Sequence, residues 1–266
     1  MIFMSNKYRI KFIVIHYGNE DLLKLCLQSI KKHGYSLTDV TVVDNNVVNR
    51  GFAGGSNHGY ELIKDQNDFD AVLFMNNDVQ LLSILDPLTI ELMREGVGIV
   101  GPLQINKDKS FIYEGVIDNK RYTAGHDITV VMKKNTNTKI ADFISGSFML
   151  VKKEVLDKIG RFDERFFMYY EDVDFCTRAR KFGYSCSFVS KILVSHLESV
   201  HIKRSVKEYY LARNHLLFVE KHAPWGIKIL EIIRFPKTCF EHYSDKEKLG
   251  GLLGIKDYFF RKFGKK

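Results

Sequence analysis

Phe74-Met75-Asn76-Asn77-Asp78-Val79 closes a short apolar run, Ala71 to Met75, with polar side chains able to ligate a metal. The run has the length and apolarity of a buried parallel strand, and Asp78 follows its carboxyl end, where open α/β sheets place their ligands. Asp78 is therefore expected to face a cleft. Carboxylate and amide oxygens are hard ligands suited to Mg²⁺ or Mn²⁺, ions that share their sites with water and substrate phosphates. The competing reading is an ordinary turn, since Asn and Asp are common turn formers.

Upstream, Ile10 to Ile15 reads as a buried strand that ends in the turn-prone His16-Tyr17-Gly18-Asn19. In the helix that follows, Leu22, Leu23, Leu25, Cys26, Leu27 and Ile30 recur at helical spacing. Glu20 and Asp21 suit its positive end, and His33-Gly34 closes it. A second strand, Val40 to Val43, stops at Asp44-Asn45-Asn46. Asn49-Arg50-Gly51-Phe52-Ala53-Gly54-Gly55-Ser56-Asn57 then precedes a helix expected from about His58 to Lys64, so the glycines could let backbone N–H groups approach an anion. Its spacing matches neither common nucleotide fingerprint. Strand and helix alternate from residue 10 to 78, which predicts a doubly wound, mostly parallel α/β sheet.

Leu81 to Met93 reads as a short helix and Val97 to Pro102 as a strand, while Lys107 to Lys139 shows no clear period. Phe143 to Val151 is expected as a strand interrupted by small residues, Gly146 among them, where a ligand or another backbone comes close. A helix from Lys153 to Ile159 ends at Gly160. Aromatic rings then crowd against acids in Phe166-Phe167-Met168-Tyr169-Tyr170-Glu171-Asp172-Val173-Asp174, and the helical spacing of Val173, Cys176, Ala179 and Phe182 places Asp172 at or beside a helix N-terminus. Two readings stand: a base in a partly dry pocket, or acids that merely cap the helix. Ile192 to Ser195 forms a strand ending in His196, which is either structural or a metal ligand.

Bulk properties narrow the partners. The chain has 266 residues and four widely spaced cysteines with no C-x-x-C pair, which fits a reducing cytosol better than a disulfide framework or zinc knuckle. No stretch approaches the roughly 18 to 20 apolar residues of a spanning helix. The net charge of +8 lies entirely beyond residue 200, where 15 Lys and Arg face 7 Asp and Glu. Such a tail suggests an anionic partner, or simply a solvated helical face. Trp225 to Phe235 can form an amphipathic helix, and Tyr258 to Lys266 interleaves aromatics with cations, which suits an interfacial helix near anionic lipid and equally a helix packed on the catalytic domain. Nucleic acid is not expected, because no recognised module accompanies the charge.

In their joint order these motifs resemble the nonprocessive, rhamnosyltransferase-like branch of the family 2 glycosyltransferases, which have the GT-A fold. The resemblance covers residues 10 to about 220 and rests on Tyr17, Val43-Asp44-Asn45, Asn49 to Asn57, Asn76-Asn77-Asp78, Gly160 to Phe167 leading into Glu171-Asp172-Val173-Asp174, His196, and Tyr209 to Asn214. It implies a catalytic domain over 1–220 and a basic, helical extension over 221–266. It further implies an inverting enzyme, drawing on a dTDP- or UDP-sugar and acting on a glycan or lipid-linked acceptor in cell-surface polysaccharide assembly. By the same resemblance the donor would be held by Tyr17, Asp44, Asn49, Arg50, Gly51, Gly54, Asn57, Asn76, Asn77 and Asp78. Asp78 and His196 would hold Mn²⁺ or Mg²⁺, with Asn76 standing where the D-x-D motif has its first Asp. Asp172 would be the base, with Glu171, Gly146 and Arg213 in acceptor or supporting roles. The protein would be cytoplasmic and peripheral on the inner face of the membrane. A catalytically silent nucleotide- or glycan-binding module on the same fold is the alternative.

Overall fold

The computed structural model of the chain describes residues 8–126, 138–197, 203–245 and 248–266. Strands β1 (Ile10–His16), β2 (Val40–Asp44) and β3 (Ala71–Asn76) pair in parallel, with β1 in the middle. Every residue of β1 is buried, as expected of a strand covered on both faces. Successive side chains point to opposite faces, so Ile13 and Ile15 join Phe74 in one core while Phe12 and Val14 join Leu73 and Met75 in the other. Helix α1 (Glu20–Lys32) supplies Cys26 and Ile30 to the second core, and α2 (Gly51–Glu61) supplies Ala53 and Tyr60 to the first. Asn19 caps α1 by accepting the Asp21 N–H.

The sheet continues through β4 (Val79–Leu81), β5 (Val97–Asn106), β10 (Phe148–Lys152) and β11 (Ser185–His196), in the order β2-β1-β3-β10-β5-β11-β4. Strands β2, β1, β3, β5 and β11 run one way, and β10 and β4 the other. Short strands β6 (Phe111–Ile112) and β9 (Thr138–Ala141) flank β5 and β11, while β7 (Gly115–Ile117) and β8 (Ala124–His126) form a separate hairpin. Between them lie α3 (Asp86–Leu92), α4 (Lys153–Ile159) and α5 (Glu171–Lys181). Three helices end the chain: α6 (Arg204–His222), α7 (Trp225–Ser244) and α8 (Leu249–Phe259).

Three boundaries depart from the sequence expectation. Helix α2 begins at Gly51 and not near His58, because Asn49 Oδ1 accepts the Gly51 N–H and starts the turn. Its glycines then let the helix lie close on the sheet: a Cβ on Gly59 would stand 2.4 Å from Ile13. Residues from Val79 to Leu81 extend as β4 before α3 because they pair with β11 and Ser29 Oγ takes the Leu81 N–H. The expected strand from Phe143 begins only at Phe148, since Gly146 gives its N–H to Asp172 and not to a neighbouring strand. Of the stretch from Lys107 to Lys139, residues 127–137 lie outside the described residues. Cys26, Cys176, Cys186 and Cys239 are all unpaired thiols.

Helix α8 packs along α6 closely enough that a Cβ on Gly254 would lie 2.2 Å from the Tyr209 carbonyl oxygen. Helix α7 has no buried residue. Among the described residues, no helix is long and apolar enough to cross a membrane.

Candidate active site

A cavity of about 850 Å³ opens at the carboxyl ends of β1 and β3, lined by Tyr17, Asn76, Asn77 and Asp78 from those ends. The Asn77 N–H donates to Ile15 O at 3.1 Å, and its side-chain oxygen accepts the Tyr17 N–H at 3.4 Å, so the two strand ends fix one another. Asn45 at the end of β2, Asn49 and Gly51 extend this wall. His196 at the end of β11 reaches the same cavity, because β11 pairs with β4 directly after Asp78.

Asp78 and His196 meet at one corner of the cavity. Asp78 is 4% exposed, and its Oδ1 lies 3.1 Å from His196 Nε2. Both atoms are buried without a properly aligned hydrogen-bond partner. Two inward-facing ligand atoms left without partners fit a shared divalent cation, and neutral imidazole with carboxylate is a normal donor pair for Mn²⁺. No cluster of three such side chains exists among the described residues. A cation held here would complete its shell with water and donor phosphate oxygens.

Asp172 and Glu171 begin α5 on another part of the wall. Asp172 Oδ2 accepts the Gly146 N–H at 2.9 Å and Oδ1 accepts the Val173 N–H at 2.8 Å. Burial pushes its pKa above the usual carboxylate range, while these two donors and nearby His126 pull it back. Burial and the Asp172 charge push Glu171 much further up. Of the two, Glu171 is the harder to ionise, and its Oε2 is buried with no partner. Asp174, one turn inward, is fully buried and contacts Arg178, Lys221 and His222. Burial would raise its pKa, but His222, Arg178 and Lys221 outweigh that and lower it. Of the three acids, Asp174 ties α5 to α6, and the other two face the cavity.

The loop before α5 holds Phe167, Tyr169 and Tyr170 at φ of 63°, 64° and 72°. Such a backbone costs bulky residues roughly 1–2 kcal/mol each, so something must hold it. Asn214 Nδ2 lies 2.8 Å from the carbonyl oxygens of Phe166, Met168 and Tyr169. Arg213, wholly buried, donates to Arg165 O, Phe166 O and Gly264 O. Gly51 meets this loop, and a Cβ there would lie 2.2 Å from Phe167 O.

The cavity wall therefore brings together Tyr17, Asn49, Gly51, Asn76, Asn77, Asp78, Gly146, Glu171, Asp172 and His196. Asp44, Arg50, Gly54, Asn57 and Arg213 are not part of it. Asp44 is exposed and accepts the Asn46 N–H, and Arg50 lies at the N-terminus of α2. Gly54 faces Glu164. The Asn57 amide is used on Phe162 and Glu164, fastening α2 to the loop after α4. Arg213 supports the wall from behind. Other lining residues were not singled out from the sequence: Asn45, Phe52, His126, Lys207, Tyr210, Lys265 and Lys266. Asn45 was quoted beside Asp44, and burial alone separates the two. Lys265 and Lys266 belong to the aromatic and cationic end of the chain, but nothing local places them at the cavity, since the hydrogen bond from Arg213 to Gly264 spans 51 residues.

A mostly parallel sheet whose strand ends bring Asp78, His196 and Asp172 to one cavity has the layout of α/β proteins that bind ligands at the carboxyl ends of their strands. The profile described as "Glycosyltransferase like family 2" matches residues 8–210, and the chain belongs to that family. It is 27% identical over 175 residues to the low-salt glycan biosynthesis hexosyltransferase Agl10 of Haloferax volcanii, covering 64% of this chain and 57% of that protein. It is 28% identical over 199 residues to the dTDP-rhamnosyl transferase RfbF of Shigella flexneri, covering 70% and 65%. A shorter match, 31% over 86 residues, joins it to the N-acetylglucosaminyl-diphospho-decaprenol L-rhamnosyltransferase of Mycobacterium tuberculosis, covering 31% and 28%. The chain thus spans less than two thirds of the length of these relatives. The fold resembles that of GalNAc-T7 crystallised with UDP, GalNAc and Mn²⁺, with a TM-score of 0.61 at 11% identity over 81% of this chain and 48% of that one. The architecture is the GT-A fold.

Proposed function

We propose that the protein is an inverting, divalent-cation-dependent glycosyltransferase. It moves a hexosyl unit, rhamnose being the leading choice, from a dTDP- or UDP-linked donor to a hydroxyl of a glycan carried on a lipid diphosphate. The observation that carries this reading is one cavity containing both the Asp78–His196 pair, whose facing atoms lack hydrogen-bond partners, and Asp172, held by two backbone N–H groups. Asp172 takes the proton of the acceptor hydroxyl as its oxygen bonds to the anomeric carbon and the bond from that carbon to the diphosphate breaks. Asp78 and His196 would hold the cation, whose charge would offset that developing on the departing nucleoside diphosphate. Tyr17, Asn49, Gly51, Asn76 and Asn77 line the donor side. Glu171, whose Oε2 has no partner among the described residues, offers a hydrogen bond to a sugar hydroxyl. The rhamnosyl, dTDP and lipid-diphosphate elements draw on the names of the relatives.

Helix α7 supports a peripheral seat on the inner face of the membrane. Trp225, Ile229, Ile232, Ile233, Phe240 and Tyr243, each between 54 and 79% exposed, fall within a stripe about 100° wide on the helical projection. Lys228 and Lys237 stand at its two edges, the pattern of a helix lying in an anionic lipid interface. Residues 1–220 would then be the catalytic unit and 221–266 the extension that carries it to lipid-linked acceptor.

Calorimetry of dTDP-, UDP- and GDP-sugars with and without Mn²⁺, on wild type and Asp78→Ala, tests the reading. It predicts metal-dependent binding of one nucleotide class that the substitution abolishes. A folded wild-type protein that binds none of them contradicts it.

A further inference from the structure

The cavity carries cations that neither donor binding nor proton transfer uses. Lys207, in the first turns of α6, and Lys265 and Lys266, in the turn after α8, all line it. No carboxylate pairs with any of the three among the described residues, and Lys266 Nζ sits 4.5 Å over the Tyr209 ring.

Exposed lysines are ordinarily a solvated face. Here the segment bearing two of them is fixed in place. Gly264 O accepts from the buried Arg213 at 2.7 Å, the Gly264 N–H donates to Arg165 O at 3.0 Å, and the Lys266 N–H donates to the Tyr210 hydroxyl at 2.9 Å. A wholly buried guanidinium, bonded also to the Phe166 carbonyl, thus sets a lysine-bearing turn against the same loop that shapes the cavity.

Charge says what such a turn would meet. A neutral sugar gains nothing from three ammonium groups, whereas a diphosphate binds through charge-assisted hydrogen bonds. On the reading given above, the donor's diphosphate would take counter-charge from a cation held by Asp78 and His196. A second diphosphate entering beside Asp78 and Asp172 would be repelled unless the protein supplied its own positive charge.

We propose that Lys207, Lys265 and Lys266 form a cradle for the diphosphate of a lipid-linked acceptor. This rests on the lipid-diphosphate reading given above and assigns that group to particular residues. Arg213 acts as the positioning residue for the cradle.

The test is equilibrium binding of geranyl diphosphate, geraniol, and the preferred nucleotide with Mn²⁺, on wild type, on a Lys207→Ala/Lys265→Ala/Lys266→Ala variant and on the corresponding triple Arg variant. The expected result is at least a tenfold loss of geranyl diphosphate affinity in the Ala variant, recovered by Arg, with nucleotide affinity changed less than about twofold. Equal geranyl diphosphate affinity in wild type and Ala variant overturns the cradle, as does equal binding of geraniol and geranyl diphosphate by the wild type. A parallel loss of nucleotide affinity also overturns it, by giving the lysines to the donor. Nucleotide binding without any geranyl diphosphate binding would sink the cradle and leave the glycosyltransferase standing. Binding of neither would remove both.

Discussion

Three acids within four residues at the start of α5 have three different fates. Asp174 is consumed by Arg178, Lys221 and His222, Glu171 is desolvated with one oxygen unpartnered, and Asp172 is held by two backbone N–H groups. The sequence shows the cluster but not this division, which depends on contacts from α6 and from the Gly146 loop. A pH dependence follows. Glu171 has its pKa raised by burial and by Asp172, so the folded state holds the proton more tightly than the unfolded chain. Its contribution to stability is complete below the ordinary carboxylate value of about 4.3 and is lost as pH rises through the folded value. Glu171→Gln should therefore melt close to wild type near pH 4 and progressively above it as pH rises. A melting difference that stays constant with pH would refute this. Asn214→Ala leaves the Met168 and Tyr169 carbonyls without this donor, while Phe166 O keeps Arg213, and should cost roughly 2–4 kcal/mol in denaturant unfolding. A loss below about 0.5 kcal/mol would mean that the positive-φ loop holds itself.

At the level of elements, the strand ends were legible because an apolar run that stops in Asn or Asp is a local pattern. His16, Asp44, Asn76 and His196 indeed end β1, β2, β3 and β11. The start of α2 was not, since glycines read locally as a loop, and only the sheet beneath explains a helix made of them. Gly51 has φ of 67° and faces Phe167 O, so Gly51→Ala should lower stability by at least about 2 kcal/mol and weaken donor binding by displacing the loop. An unchanged melting temperature would show that α2 and the loop are not locked together. The amphipathic reading of Trp225 to Phe235 extends to a full helix, Trp225–Ser244, with its apolar stripe exposed. Ile232→Ser/Ile233→Ser should reduce binding to vesicles containing anionic phospholipid by about tenfold and leave nucleotide affinity unchanged. Equal vesicle binding by wild type and variant would remove the lipid-facing role.

For the whole molecule, the order of motifs along the chain carried more than any one of them. Asp78, Asp172 and His196 are separated by up to 118 positions, yet β4 and β11 pair and the Gly146 loop brings α5 to the same opening. What stayed hidden was long-range: the insertion of β10 between β3 and β5, and the return of the C-terminal turn to the cavity through Arg213. The proposed function requires Asp172 to act on an acceptor in the cavity where the donor would bind. The most direct measurement is sugar transfer together with donor affinity for Asp172→Asn. The account predicts a fall in transfer of roughly 10²- to 10⁴-fold with donor affinity essentially unchanged. Transfer at the wild-type rate would contradict it.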